Sequence, residues 1–140
     1  MARPVKPGID YFPLDVSMDD KMELIEAKHG LVGFGIMIKL YQQIYRKNGY
    51  YLRATEERLL LFKRQVNVDI NLINAVIEDA LWWGLFDKRL YRKYGILTSK
   101  GVQKRFVEAT KRRKEVEFIK EFLLIEDIQS FYSDRVNVNI

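Results

Sequence analysis

Gly84-Leu85-Phe86-Asp87-Lys88-Arg89-Leu90-Tyr91-Arg92-Lys93-Tyr94-Gly95-Ile96-Leu97-Thr98-Ser99 is where the architecture of this chain turns. Leu85-Phe86 and Leu90-Tyr91 carry strand-type side chains, Arg92 and Lys93 suit a polar tip, and Ile96-Leu97 can return. The pattern predicts a β-hairpin over Leu85 to Thr98. Gly84 ends the helix before it, and Thr98 or Ser99 caps a long helix after it, Lys100 to about Ile125. Gly101 weakens the start of that helix by about 1 kcal/mol relative to Ala.

Upstream, Asn71 to Trp83 reads as a helix with Ile73, Val76, Ile77, Ala80 and Leu81 on its apolar face. Thr55 caps a helix from Glu56 to about Val66, with Leu59, Leu60, Leu61 and Phe62 directed inward. Tyr50-Tyr51-Leu52 is a brief strand. Leu31 to Lys47 is apolar on most sides, the mark of a central, buried helix. Ser17 caps a first helix, Met18 to His29, and Gly30 follows as its C′ glycine. Pro4, Pro7, Gly8 and Pro13 keep residues 1–16 out of a regular helix, yet Ile9, Tyr11, Phe12, Leu14 and Val16 predict an arm that packs on the body. From Leu31 to Thr98 the order is helix, strand, helix, helix, strand, strand. The expected fold is therefore mainly α with a small β wing: a winged helix-turn-helix with an extra N-terminal helix and a long C-terminal helix. Residues 1–122 are expected to form one domain, and 123–140 a tail or the start of a linker, with the natural chain expected to continue past Ile140.

The 140 residues and 48% hydrophobic content suit one domain with a genuine core. With no Cys and a single His, disulfides, thiol nucleophiles, Cys-based zinc sites and two-His relays are excluded. No cofactor or metal is expected. Asp19-Asp20, Glu56-Glu57, Glu78-Asp79 and Glu126-Asp127 are helix neighbours about 100° apart, which do not share a site. Gly30, Gly33 and Gly35 lack the strand and the Lys-Ser/Thr of a phosphate loop. His29 and Ser17, Ser99, Ser130 and Ser133 form no recognisable relay, so the chain reads as non-enzymatic. No apolar run of about 18 residues and no signal peptide is present, which points to the cytoplasm and away from membranes.

The net charge of +5 is unevenly spread. Residues 1–87 carry 11 basic and 12 acidic side chains, residues 88–120 carry 12 and 3, and residues 121–140 carry 1 and 4. Such a basic block attracts phosphate backbones. The helix 71–83, in the recognition position, has no Lys or Arg, so ordinary major-groove readout is disfavoured. The candidate DNA-binding residues are Lys88, Arg89, Arg92 and Lys93 on the wing, with Lys100, Lys104, Arg105, Lys111, Arg112 and Lys114 on the last helix. On a helical wheel Lys100, Lys104, Lys111 and Lys114 fall within about 80° and form a ridge, opposite Val102, Phe106 and Ala109, which dock it. Wing and ridge would grip phosphates without reading sequence. Trp82 and Trp83 cannot both face one core. One is expected inside, the other under the arm, the last helix or a second subunit, or else exposed, where it could stack on a base.

Five ordered motifs carry a family resemblance: Pro7-Gly8 with Tyr11-Phe12-Pro13-Leu14-Asp15, Gly30-Leu31-Val32-Gly33-Phe34-Gly35, Tyr50-Tyr51-Leu52, Gly84-Leu85-Phe86, and Gly95-Ile96-Leu97-Thr98-Ser99 with Gln103-Lys104-Arg105-Phe106. Over Val5 to Phe122 the chain resembles the N-terminal domain of phage-type and mobile-element replication proteins. That family of unknown function is typified by listerial prophage proteins and is similar to the winged-helix N-terminal domain of the primosome protein DnaD. The resemblance implies a replication-initiation or replisome-organiser role. It also implies self-association and contact with replisome proteins, with DNA binding largely in a further C-terminal domain. Its motifs are structural and nominate no catalytic residue. Three functions follow from residues and resemblance together: a phosphate-gripping replication module, an oligomerisation scaffold without DNA contact, and a winged-helix transcriptional regulator.

Overall fold

In the computed structural model, which describes residues 6–14, 16 and 19–140, helix α1 runs Asp20–Lys47. The Asp19 carboxylate accepts from the Lys21 amide at 2.8 Å and Asp20 and Glu23 sit in the first turn, where the helix dipole favours acids. The expected Ser17 cap and Met18 start lie outside the described residues. Gly30 leaves helical geometry at φ 74°, ψ −172° and kinks α1 into two arms. This is the break expected there between two helices. Beyond it Gly33, Ile36, Met37, Leu40, Tyr41, Ile44 and Tyr45 are buried at helical spacing, making α1 the central post.

Strand β1, Leu52–Arg53, pairs antiparallel with β2, Ile96–Leu97, matching Leu52 to Leu97 and Arg53 to Ile96. Between them α2 spans Glu56–Val66, capped by Thr55, whose hydroxyl accepts from the Arg58 amide at 3.2 Å. Leu59 and Phe62 are buried, whereas Leu60 and Leu61 are exposed, against expectation. Positions 60 and 61 lie one and two 100° steps from Leu59, off the inward face. Helix α3, Ile70–Trp82, is capped by Asp69 and buries Ile73, Val76, Ile77, Ala80 and Leu81, the face the sequence predicts. It packs most extensively against α1.

The hairpin expected over 85–98 is absent. Lys88–Tyr94 is helix α4. The Asp87 carboxylate caps it by accepting from the Leu90 amide at 2.9 Å, and Gly95, at φ 67°, closes it by donating its amide to the Tyr91 carbonyl. A capping Asp three residues before Leu90 and a glycine in left-handed geometry override two strand-like pairs. The chain is mainly helical with a small sheet, and among the described residues the β1–β2 ladder has no third strand.

The long last helix is also absent. Helix α5 is Lys100–Thr110, capped by Ser99, and buries Val102, Gln103, Phe106, Val107 and Thr110. Ala109, expected to dock, is exposed. Beyond Lys111 the alternation Glu115-Val116-Glu117-Phe118 forms β3, Glu115–Glu117. It pairs in parallel with β4, Asn137–Asn139. Two 3-10 turns, Lys120–Phe122 and Ile128–Phe131, lie between them. Ile125, Ile128, Tyr132 and Val136, from the tail set apart in the sequence, share the one buried core.

Buried polar groups fasten this region. Gln103 donates to Thr98 Oγ1 (3.2 Å) and the Phe122 carbonyl (2.8 Å) and accepts from the Leu124 amide (2.8 Å). Thr110 donates to the Phe106 carbonyl and shares a 2.7 Å hydrogen bond with Tyr132 Oη. Among the described residues no buried side-chain nitrogen or oxygen lacks a partner. The arm packs only in part: Ile9 and Phe12 dock, whereas Tyr11, Leu14 and Val16, expected to do the same, are exposed. Ile9 is buried and donates its amide to the Tyr45 carbonyl, Phe12 stacks on Tyr45 at 4.7 Å, and Arg113 donates to the Lys6 and Gly8 carbonyls. Among the described residues no helix is long and apolar enough to cross a membrane.

Candidate nucleic-acid interface

Helix α4 is seven residues long, buries Leu90, and packs Tyr91 and Tyr94 partly on the core, Tyr94 at 5.2 Å from the Phe122 ring. Lys88, Arg89, Arg92 and Lys93 are all exposed. The Asp87 amide donates to the Thr98 carbonyl at 2.8 Å, which sets the start of α4 beside the start of α5. Lys100 and Lys104, one turn apart and both exposed, extend the basic surface onto α5. Among the described residues none of these six cations enters an ion pair.

The other four candidates do not join them as a ridge. Arg105 is half-buried and donates to Tyr45 Oη at 2.9 Å, tying α5 to α1. Lys111 pairs with Glu108 at 2.8 Å. Lys114 lies past the end of the helix, and Arg112 and Lys114 are exposed on the connection to β3. Thus the ridge of Lys100, Lys104, Lys111 and Lys114 is divided, because α5 stops at Thr110 and the wheel that aligned them does not continue.

Two aromatic residues complete the surface. Trp83 is half-buried and packs on the core, but Trp82 remains 73% exposed in this chain. Lys88 Nζ lies 4.7 Å from the Trp82 ring centroid. Tyr91, one turn along α4 from Lys88, lines the same groove as Trp82. A Cβ on Gly84 would stand 3.5 Å from Lys21 Nζ, which places a further ammonium at the end of α3. Sequence reasoning singled out Trp82 and missed Tyr91 and Lys21. Nothing in a one-dimensional pattern brings residue 21 to residue 84.

One turn before Trp82 and Trp83, on α3, Asp79 holds His29 Nε2 at 2.6 Å and Lys28 at 3.0 Å, and Lys28 Nζ lies 5.9 Å from the Trp83 ring centroid. Burial alone would raise the Asp79 carboxyl, but hydrogen bonds from His29 and Lys28 outweigh it and hold the pKa below the ordinary range. This ties α3 to α1 just before its kink at Gly30. Among the described residues no group of three His, Cys, Asp or Glu side chains is placed to hold a metal ion.

Residues 11–102 match the family Lin1244/Lin1753-like, N-terminal. The chain belongs to that family. It is 50% identical over 128 residues to the uncharacterized phage-related protein Lin1244/Lin1753 of Listeria innocua serovar 6a. The aligned part covers 90% of this chain and 42% of that protein, so the chain spans less than half of its relative's length. No solved structure matches. The family match runs from the arm through α4 and into the first turn of α5. The Lin1244/Lin1753-like region therefore contains five of the six clustered cations, with Lys104 just beyond it.

Proposed function

We propose that this Lin1244/Lin1753-like domain is a non-enzymatic, cytoplasmic module of a phage-type replication-initiation protein. It holds nucleic acid through phosphates on α4 and the first turns of α5. The observation that supports this most is the cluster of Lys88, Arg89, Arg92, Lys93, Lys100 and Lys104, exposed and outside any ion pair among the described residues. An unpaired cluster costs self-repulsion, which a polyanion relieves. Helix α3 exposes Asn71, Asn74 and Glu78 and has no cation, which argues against base readout and hence against a transcriptional regulator. The order of α1, β1, α2, α3 and β2 supports kinship with the DnaD-type winged helix, with α4 standing where a wing would be.

Fluorescence anisotropy with labelled DNA, stepped from about 50 to 200 mM salt, tests this reading. Six phosphate contacts give a slope of log K against log salt of roughly −5 on duplex. No binding at the lowest salt contradicts it.

A second reading, self-association without DNA contact, rests on Leu24, Leu31 and Val32, which are 44%, 74% and 51% exposed on either side of the α1 kink. An exposed apolar group of this kind marks contact surfaces. Light scattering that finds a dimer in wild type and a monomer in Leu31→Glu would favour it.

A further inference from the structure

We infer that the groove between the end of α3 and helix α4 takes one unstacked base of a single-stranded nucleic acid, with Trp82 as its stacking platform; this rests on the phosphate-contact reading above. The groove measures about 200 Å³ and is lined by Glu78, Leu81, Trp82, Lys88, Tyr91 and Arg92. Small-molecule sites usually measure roughly 300–1,000 Å³, so this one suits a single planar ring system better than a whole cofactor. Its walls offer two aromatic rings and an apolar floor at Leu81, with cations at the rim. That combination recurs where single strands are held: bases stack on aromatic faces while the backbone follows positive charge.

The details fit a base better than an apolar side chain. Trp82 is 73% exposed although α3 has a complete apolar face without it. The Lys88 ammonium stands over the ring on the groove side, so a stacking base displaces it toward the edge, where it can meet that base's phosphate. Lys88 and Arg92 in the lining supply charge complementarity for the flanking phosphates. Glu78 is the one carboxylate in the lining. It repels a phosphate but accepts from an exocyclic amine, which directs the base inward, the backbone outward, and favours cytosine or adenine over thymine. In duplex DNA base faces are covered by stacking, so the groove discriminates for single strands.

The test measures anisotropy of the full 140-residue chain with fluorescein-labelled (dC)20 and with a 20-bp duplex at about 50 mM salt. Wild type is expected to bind (dC)20 more tightly than duplex. Trp82→Ala should weaken (dC)20 by about 5- to 100-fold and leave duplex unchanged, while Trp82→Phe keeps most of the affinity. Because Trp82 is exposed, its removal should leave the melting temperature nearly unchanged, which checks that the variant folds. Equal affinity of Trp82→Ala and wild type for (dC)20 overturns the stacking site, as does a parallel loss on both DNAs. In either case salt-sensitive duplex binding that disappears in Lys88→Glu/Arg92→Glu would leave the phosphate reading standing. Absence of binding to both DNAs removes both proposals. A dimer that Trp82→Ala dissociates would assign the groove to a second copy of the chain and overturn the base site.

Discussion

Helices α3 and α4 are neighbours with opposite assignments. α3 has 13 residues, buries five of them and carries no Lys or Arg. α4 has seven residues, buries one and carries four cations. In a helix-turn-helix the α3 position faces DNA. Here α3 is consumed by the core, packing its apolar face on α1, and the charged surface has moved to the short helix after it. On the proposed reading, stability and recognition are separated into two elements, and each can be broken alone.

The largest effect is expected in α3. Ile77→Asp puts a carboxylate at a position 2% exposed, with no partner for its charge. It should cost more than about 4 kcal/mol and unfold the chain at moderate temperature in a circular-dichroism melt. A folded Ile77→Asp chain would mean that α3 is not the core element described.

Charge reversal in α4 should do the reverse. Lys88→Glu/Arg92→Glu/Lys93→Glu changes exposed side chains, so stability should move by no more than about 1 kcal/mol in total. The salt slope on duplex DNA should fall from about −5 to about −3, roughly 0.9 per lost contact. A slope unchanged by the triple variant would place the phosphate contacts elsewhere.

The core that α3 packs against also predicts an alkaline limit. Burial pushes Tyr41 and Tyr50 up to about 12, Tyr50 while its hydroxyl accepts from the Ile119 amide. A raised folded pKa means that the stabilisation is complete below the unfolded value, about 10, and is lost as pH rises through 12. Melting temperature should therefore fall between about pH 10 and 12, and less steeply in Tyr41→Phe. An identical fall in Tyr41→Phe would remove that residue from the account.

The smallest effect concerns the tie between α1 and α3. Asp79→Asn loses the charge that holds Lys28 and His29 and should cost about 1 kcal/mol near neutrality. Since the folded pKa of Asp79 is lowered, its contribution is present above the ordinary carboxylate range and is lost as pH falls through the folded value. Wild type and Asp79→Asn should thus converge in urea midpoint as pH falls below the ordinary carboxylate range; a constant difference would contradict the ion pair.

The contrast between the two helices also shows what a sequence discloses. α3 is legible because five inward residues repeat at 3.6 spacing, and α2 because Thr55 caps a run with two acids in its first turn. α4 is not, since seven residues with one buried position display no period. Its two informative signals, Asp87 and Gly95, are outweighed by β-type residues at 85–86 and 90–91. Four successive cations, Lys111 to Lys114, prolong an apparent helix past its end and hide the period-two run at Glu115 to Phe118. For the candidate site the cations themselves are all visible in the sequence. Their grouping is not, because it depends on where α5 stops, on the Asp87–Thr98 hydrogen bond and on partners such as Tyr45 for Arg105, 60 residues away. The groove at Trp82 depends on α4 being helical, so a hairpin reading could not contain it.

The central claim is that α4, and not α3, faces nucleic acid. Amide chemical-shift mapping by ¹H–¹⁵N NMR during titration with a short DNA tests it most directly. The account predicts that shifts concentrate at residues 88–93 and at Lys100 and Lys104, with Asn71 and Asn74 still. Shifts centred on Asn71 and Asn74 with α4 silent would contradict it.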